Sequence, residues 1–258
     1  MPRYKLLIEF DGSPFVGWQR QDNGPSVQQT LEEAAERLCG QPVRLHAAGR
    51  TDSGVHALGM VAHVDLPRAY PAGKVADALN ALARPAPVAV LAAEAVTEDF
   101  HARFSCLERS YLYRILVRRA QPALERGRVW WHARPLDAEA MHAAAQTLVG
   151  HHDFSSFRAS ECQADSPVKT LDALDVARRG DELHVTARAR SFLHHQVRNM
   201  VGTLALVGRG KWTARDVAAA LAACQRSAAG PTAPPDGLYF LAARYPESVP
   251  NTAPDGEE

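Results

Sequence analysis

The sequence predicts an α+β fold made of two related split-βαβ (ferredoxin-like) units with antiparallel or mixed sheets. Three observations predict it. Segments of alternating polarity and of helical spacing follow one another as β-α-β-β-α-β over the first hundred residues, which is the split-βαβ order. A looser version of that order follows residue 105. Helical segments open on capping residues, and strands are bounded by glycine, proline and short polar residues.

Residues 3–10 alternate, with Tyr4, Leu6 and Ile8 on one face and Lys5, Leu7 and Glu9 on the other. "DGSPFVGWQRQDNGPS" (11–26) reads as an extended loop. Ser26 with Gln29 resembles a capping box opening a helix to about Cys39, with Val27, Leu31, Ala34, Ala35 and Leu38 near helical spacing. Strands follow at 42–47 and 58–65, a helix at 72–83 and a strand at 87–96. In the second half, 110–118 is a strand and 138–148 a helix behind Asp137. Strands 168–178 and 182–190 are joined by the hairpin-type turn "RRGD". A helical stretch covers 192–207, a second spans 214–225 behind a Thr213/Asp216 capping box, and 237–243 is a strand. The expected units are 1–104 and 105–247, with "PESVPNTAPDGEE" closing in an acidic, disordered tail over 248–258.

At 258 residues the chain can bury one large core or two ordinary ones, and 46% hydrophobic with 22% charged residues is a globular composition. Cys39, Cys106, Cys162 and Cys224 lie far apart, which fits a reducing, cytoplasmic compartment and no CxxC site. "MPRYKLLIEF" is not a signal peptide, and no apolar run approaches the length of a membrane span. Net charge is zero, but it is unevenly spread. His101–Arg134 holds eight arginines and two acids, and Arg188–Arg215 six basic residues and no acid, so a neutral average conceals a basic surface.

"GRTDSGVHA" (49–57) sets a charged core between glycines, the mark of a tightly bent loop. Asp52 in such a loop is a nucleophile or acid/base, a turn cap, or a metal ligand. His56 could assist such chemistry, but reads first as a packed or surface histidine. Walker, dinucleotide and GxSxG motifs are missing, and HExxH, HxE with PCxxC and EF-hand spacings are missing too. No metal site is expected.

This stretch, extended to "GRTDSGVHALGMVAHVD", closely resembles the signature of the TruA-type tRNA pseudouridine synthases. Five further blocks resemble that family in its order: "YKLLIEFDGSPFVGWQRQDNGPSVQQTLEEA", "FHARFSCLERSYLYRI", "GHHDFSSFRA", "FLHHQVRNMVGTLALVGRG" and "APPDGLYF". The resemblance implies that Asp52 is the essential aspartate and Arg50 an arginine that positions or flips the base. It implies that Tyr111 stacks on the target uracil, Arg198 pairs with the carboxylate and Leu238 helps line the pocket. Tyr113 is left to the core or to support behind the pocket. Where "FLYHMVRN" is expected the chain reads "FLHHQVRN", so His194 and Gln196 replace a tyrosine and a methionine.

The implied reaction converts uridine to pseudouridine in RNA with no cofactor and no metal. A carboxylate attacks C6 of uracil or C1′ of ribose, or takes a proton from the sugar, and the sequence leaves these routes open. An opposed arginine favours the ionised carboxylate and fixes its oxygens, although Arg198 also reads as a phosphate contact. An aromatic face returns about 1–3 kcal/mol of stacking to an extruded base. Arg20, Arg158, Arg190, Arg209 and Lys211 are the RNA-contact candidates. The resemblance further implies a homodimer that bridges one tRNA and modifies positions 38–40 of the anticodon stem-loop. Competing classes are a related enzyme on another RNA, an RNA-binding module without chemistry, and a small-molecule hydrolase. The last lacks a nucleophile–histidine–acid set or metal ligands.

Overall fold

In the computed structural model, residues 1–160, 162 and 164–246 are described; the expected tail over 248–258 lies outside the described residues. The strands are β1 (Arg3–Phe10), β2 (Leu45–Ala47), β3 (His56–Asp65), β4 (Val88–Val96), β5 (Glu108–Val117), β6 (Trp130–His132), β7 (Gly150–Asp153), β8 (Val168–Arg179), β9 (Glu182–Ala189) and β10 (Leu238–Arg244). The helices are α1 (Val27–Cys39), α2 (Ala72–Leu82), α3 (Ala138–Ala145), α4 (Gln196–Gly208) and α5 (Ala214–Ala222). The fold is α+β around one mixed sheet in the order β4-β1-β3-β10-β5-β9-β8-β7, with β2 also on β3 and β6 also on β5.

β1 follows from its alternation. Tyr4, Leu6, Ile8 and Phe10 are buried while Leu7 and Glu9 are exposed, so one face of the strand packs and the other is solvated. It pairs antiparallel with β3 and β4. On the covered side α1 packs on α2 and α2 on β4. Leu6, Ile8, Leu31 and Leu79 are essentially inaccessible, each contributing roughly 1.5–3 kcal/mol of burial. In the second half α3 packs on β8, α4 and α5.

Local signals are realised unequally. At α1 only half of the capping box forms. Ser26 Oγ accepts the Gln29 N–H at 3.2 Å, but the Gln29 amide donates to Glu33 at 2.8 Å instead of returning to the cap. At α5 Thr213 N–H donates to Asp216 Oδ2 at 2.7 Å, as the box requires. The helix expected over 138–148 is α-helical only to Ala145 and tightens to a 3₁₀ turn over Gln146–Leu148. Strands β6 and β7 were not expected; at three and four residues neither is long enough to display alternation.

The chain crosses the middle of the sheet last. β10 pairs antiparallel with β5, setting Leu238 opposite Tyr113 and Phe240 opposite Tyr111. Its other edge runs parallel to the start of β3, with Tyr239 opposite His56. This insertion brings the start of β10 beside the loop that precedes β3. His56 is buried there: its Nδ1 accepts the Gly12 N–H at 3.0 Å, Nε2 donates to the Gly127 carbonyl at 3.0 Å, and the ring stacks on Tyr239. It is a packing histidine.

A second buried histidine makes stability depend on pH. His63 on β3 accepts the Ala102 N–H at 3.1 Å and touches the rings of His46 and His101. Burial, with His101, Arg3 and His46 adding charge repulsion and Asp65 opposing, pushes it down from 6.5 to about 4. His46 and His101 are also lowered, by burial first. Between pH 6.5 and 4 the unfolded chain takes up the His63 proton and the folded chain does not. Stability is therefore complete above pH 6.5 and falls by about 3 kcal/mol toward pH 4 from this group. Urea midpoints measured across that window should fall steeply for the wild type. They should fall less for His63→Asn, which keeps an acceptor for Ala102 and cannot titrate.

Candidate active site

Loop 48–55 is held before any substrate arrives. The Ala48 N–H donates to the Val61 carbonyl at 2.7 Å. The Ala48 carbonyl accepts both Nε and Nη2 of buried Arg109, at 2.9 and 2.7 Å. Arg109 also donates to the carbonyls of Arg103 and Arg190, so one guanidinium ties three distant segments together without a carboxylate. The Trp18 N–H donates to the Thr51 carbonyl at 3.1 Å, and the Val55 N–H closes a turn on the Asp52 carbonyl at 3.2 Å. Of the two glycines in the motif only Gly54 has a left-handed backbone, at φ 76°. Gly49 does not, and a Cβ there would meet only ordinary contacts at 3.6–3.8 Å. The close approach is made elsewhere. Gly17, at φ 117°, lies so near that an added Cβ would stand 2.6 Å from the Thr51 carbonyl oxygen.

Asp52 is thereby aimed at the first turn of α4. The helical stretch expected over 192–207 begins only at Gln196, because His195 takes a left-handed conformation at φ 62°, ψ 4°. Gln196 Oε1 accepts the Leu193 N–H at 2.8 Å and fixes this bend. A left-handed non-glycine residue costs roughly 1–2 kcal/mol, and here the bend turns two imidazoles onto one carboxylate. His194 Nε2 stands 3.1 Å from Asp52 Oδ1, and His195 Nε2 3.3 Å from Oδ2. Burial lowers the pKa of His195 while the Asp52 charge opposes that shift. Arg198 Nη1 donates to Asp52 Oδ2 at 3.3 Å, and its Nε donates to the Ala233 carbonyl at 2.8 Å. The Ala233 N–H returns to the Arg198 carbonyl at 3.1 Å, so the guanidinium is aimed by the segment leading into β10.

Tyr111 lies on β5 beside this cluster. Its ring is buried, edge-on to Phe192 at 5.1 Å and to Phe240 at 5.2 Å. Burial, reinforced by the Asp52 charge, raises its phenol well above the ordinary range, so it remains a neutral hydroxyl at physiological pH. Tyr113 belongs to the core and donates to the Pro234 carbonyl at 2.8 Å. Leu238 is buried opposite it. Arg50 is exposed at the rim of the loop and makes no hydrogen bond or ion pair among the described residues.

Among the described residues, none of the RNA-contact candidates makes a hydrogen bond or ion pair with Asp52. Arg20 is half exposed, with Nη1 3.7 Å from Glu32. Arg158 is half-buried and Arg190 exposed. Arg209 donates to His132 at 2.8 Å. With Lys211 it lies beyond the far end of α4, about 16 Å along the helix axis from Arg198 at 1.5 Å per residue. Sequence reasoning singled out neither His195 nor Arg109. The doublet "HH" just ahead of Arg198 was the one available signal for the first; Arg109 carried none.

Among the described residues, Asp52, His194 and His195 bring one oxygen and two nitrogens within 4.8 Å of one another, a donor set able to hold a metal ion. The Arg198 cation on the same carboxylate opposes that use. The arrangement suits a fixed nucleophilic or basic carboxylate beside an aromatic pocket.

Residues 6–105 and 144–246 match the tRNA pseudouridine synthase family, the first segment carrying Asp52 and the second Arg198 and Leu238. The chain belongs to the tRNA pseudouridine synthase family. It is 71% identical over 246 residues to tRNA pseudouridine synthase A of Rhodospirillum rubrum, covering 95% of this chain and 88% of the relative. It is 63% identical to that of Paramagnetospirillum magneticum, covering 99% of this chain and all of the relative. For the Rhodospirillum centenum protein, identity is 69%, over 95% of this chain and 100% of the relative. The chain is accordingly an enzyme of the pseudouridine synthase class. Tyr111 lies between the two segments matched to the synthase family.

Proposed function

We propose that this enzyme isomerises uridine to pseudouridine in the anticodon stem-loop of tRNA, at positions 38–40, without cofactor or metal. The observation that carries the reading is the Asp52 carboxylate, held by Arg198 in a chain belonging to the synthase family. Asp52 attacks C6 or C1′, or takes a sugar proton. The N-glycosidic bond then breaks, the base turns, and C5 bonds to C1′. The C5 proton goes to solvent and N1 takes one up, so no redox partner is needed. Tyr111 and Leu238 line the pocket for the extruded uracil, and exposed Arg50 helps to hold the flipped nucleotide.

The strand orders β4-β1-β3-β2 and β10-β5-β9-β8, antiparallel at each pairing, support reading the chain as two split-βαβ units, 1–104 and 105–247, joined in one sheet. The relatives' shared name supports tRNA as substrate. We read the working form as a cytoplasmic homodimer bridging one tRNA, with Arg20, Arg158, Arg190, Arg209 and Lys211 tracking phosphates by shape rather than by base code. No helix among the described residues is long and apolar enough to cross a membrane.

The test is tritium release from tRNA carrying 5-tritiated uridine, with product nucleotides mapped afterwards. Release mapping to positions 38–40 is the expected result. Tight tRNA binding by folded protein with no release would overturn the proposal for that substrate.

A further inference from the structure

A cavity of about 240 Å³ lies against His194 and His195, one imidazole away from Asp52, and is lined further by Ser160, Asn199, Arg226 and Thr232. None of these is an acid. Arg226 is half-buried and meets only neutral acceptors among the described residues. Nη1 donates to the Gly230 carbonyl at 2.9 Å, and Nη2 to Asn199 Oδ1 and Thr232 Oγ1, both at 3.1 Å. Asn199 is wholly buried. Its Nδ2 donates to the Phe157 carbonyl at 2.8 Å, and its Oδ1 accepts the Thr232 hydroxyl at 2.7 Å. The guanidinium is therefore held rigidly, and no carboxylate among the described residues pairs with its charge. A partly buried cation without a counter-ion carries a desolvation cost that an arriving anion would offset. Arginine, with its planar fork, suits phosphate in that role.

We propose that this cavity binds a phosphodiester flanking the uridine on which Asp52 acts, with Arg226 as its cation and the Ser160 hydroxyl as a second donor. The inference rests on the reading of the chain as a tRNA-modifying enzyme. In any RNA the two flanking phosphates are the anions nearest the reacting glycosidic bond. The cavity lies one imidazole ring from the carboxylate, and among the described residues its lining holds no acid to repel them. Among the described residues, the only aromatic faces in its lining belong to the two imidazoles already set against Asp52, so it is poorly equipped to stack a neighbouring base. Binding energy collected on a non-reacting phosphate orients the sugar between it and Asp52.

The test is a cycle between protein and RNA. tRNAs are assembled with one neutral methylphosphonate at either flanking linkage, the ribose on its 5′ side being 2′-O-methyl. The same 2′-O-methyl RNA with an ordinary phosphate is the reference. Equilibrium binding is measured for the wild type, Arg226→Gln and Arg226→Lys. One of the two neutral linkages should weaken wild-type binding by about tenfold, the size of a charged hydrogen bond. Arg226→Gln should weaken binding of the reference RNA by a similar factor and lose almost nothing further from the neutral linkage. Arg226→Lys should recover part of the loss.

A wild-type cost below about twofold at both linkages overturns the proposal without any variant, on the same scale of a charged hydrogen bond. A cost that persists undiminished in folded Arg226→Gln overturns the assignment to Arg226. Tritium release from unmodified tRNA reports the reaction separately. Release with an additive cycle fails the subsite alone, and no release with a coupled cycle fails the reaction alone.

Discussion

Asp52→Asn is expected to lower tritium release by a factor of about 10⁴ or more, the scale of losing a covalent or basic group on which the other residues depend. The substitution is close to isosteric. Its side-chain oxygen can still accept from Arg198 Nη1, and loop 48–55 is anchored by Arg109, Trp18 and the 52–55 turn, none of which uses the carboxylate. The fold should therefore be unchanged. An amide neither forms the ester-like adduct nor takes a proton from the sugar, so all three open routes fail together. Removing a negative charge beside Arg198, His194 and His195 leaves the site more positive, and tRNA affinity should be equal or tighter. Rate constants under single turnover, with affinity measured separately, make the check. Residual activity above a few per cent of wild type would exclude Asp52 from bond making.

What could be read from the sequence divides by the range of the forces involved. The alternation of 3–10 and the Thr213/Asp216 box are local and survive as β1 and α5. Asp52 was visible because its neighbours in sequence mark it. The break before α4 was not visible. "SFLHHQVRN" continues an apolar spacing into a helix, and the left-handed His195 is fixed by the Gln196 side chain on Leu193 and by the Ala159 N–H donating to the His194 carbonyl at 2.9 Å. The second of these contacts spans 35 positions. Arg109 was one of eight arginines in its stretch, and only the convergence of Ala48, Arg103 and Arg190 carbonyls separates it from the others. Gly49 misled in the opposite direction: glycine suggested a bend that the backbone makes at Gly54. For His195 and Arg109 the missing information was a contact between segments far apart in sequence.

Arg198→Lys is expected to slow the chemical step by about 10²- to 10³-fold, the usual cost of removing one preorganised donor from a reacting charge. The geometry explains why a conserved charge is not enough. The guanidinium uses Nε on the Ala233 carbonyl and Nη1 on Asp52 Oδ2, two donors at a fixed angle. An ammonium on a flexible stem can reach one of these oxygens but does not hold the other while doing so. The Ala233 carbonyl then loses its side-chain donor, and the carboxylate loses the cation that fixes its direction. If Arg198 served instead as a phosphate contact, Arg198→Gln would weaken tRNA binding and reduce the salt slope of affinity by about one, with little change in the rate at saturation. The pairing with Asp52 predicts the reverse: an unchanged salt slope and a slowed single-turnover rate. The two roles thus separate in one pair of measurements. A slowed rate in Arg198→Lys with unaltered affinity would make orientation of the carboxylate, rather than neutralisation of the RNA, the task of the first turn of α4.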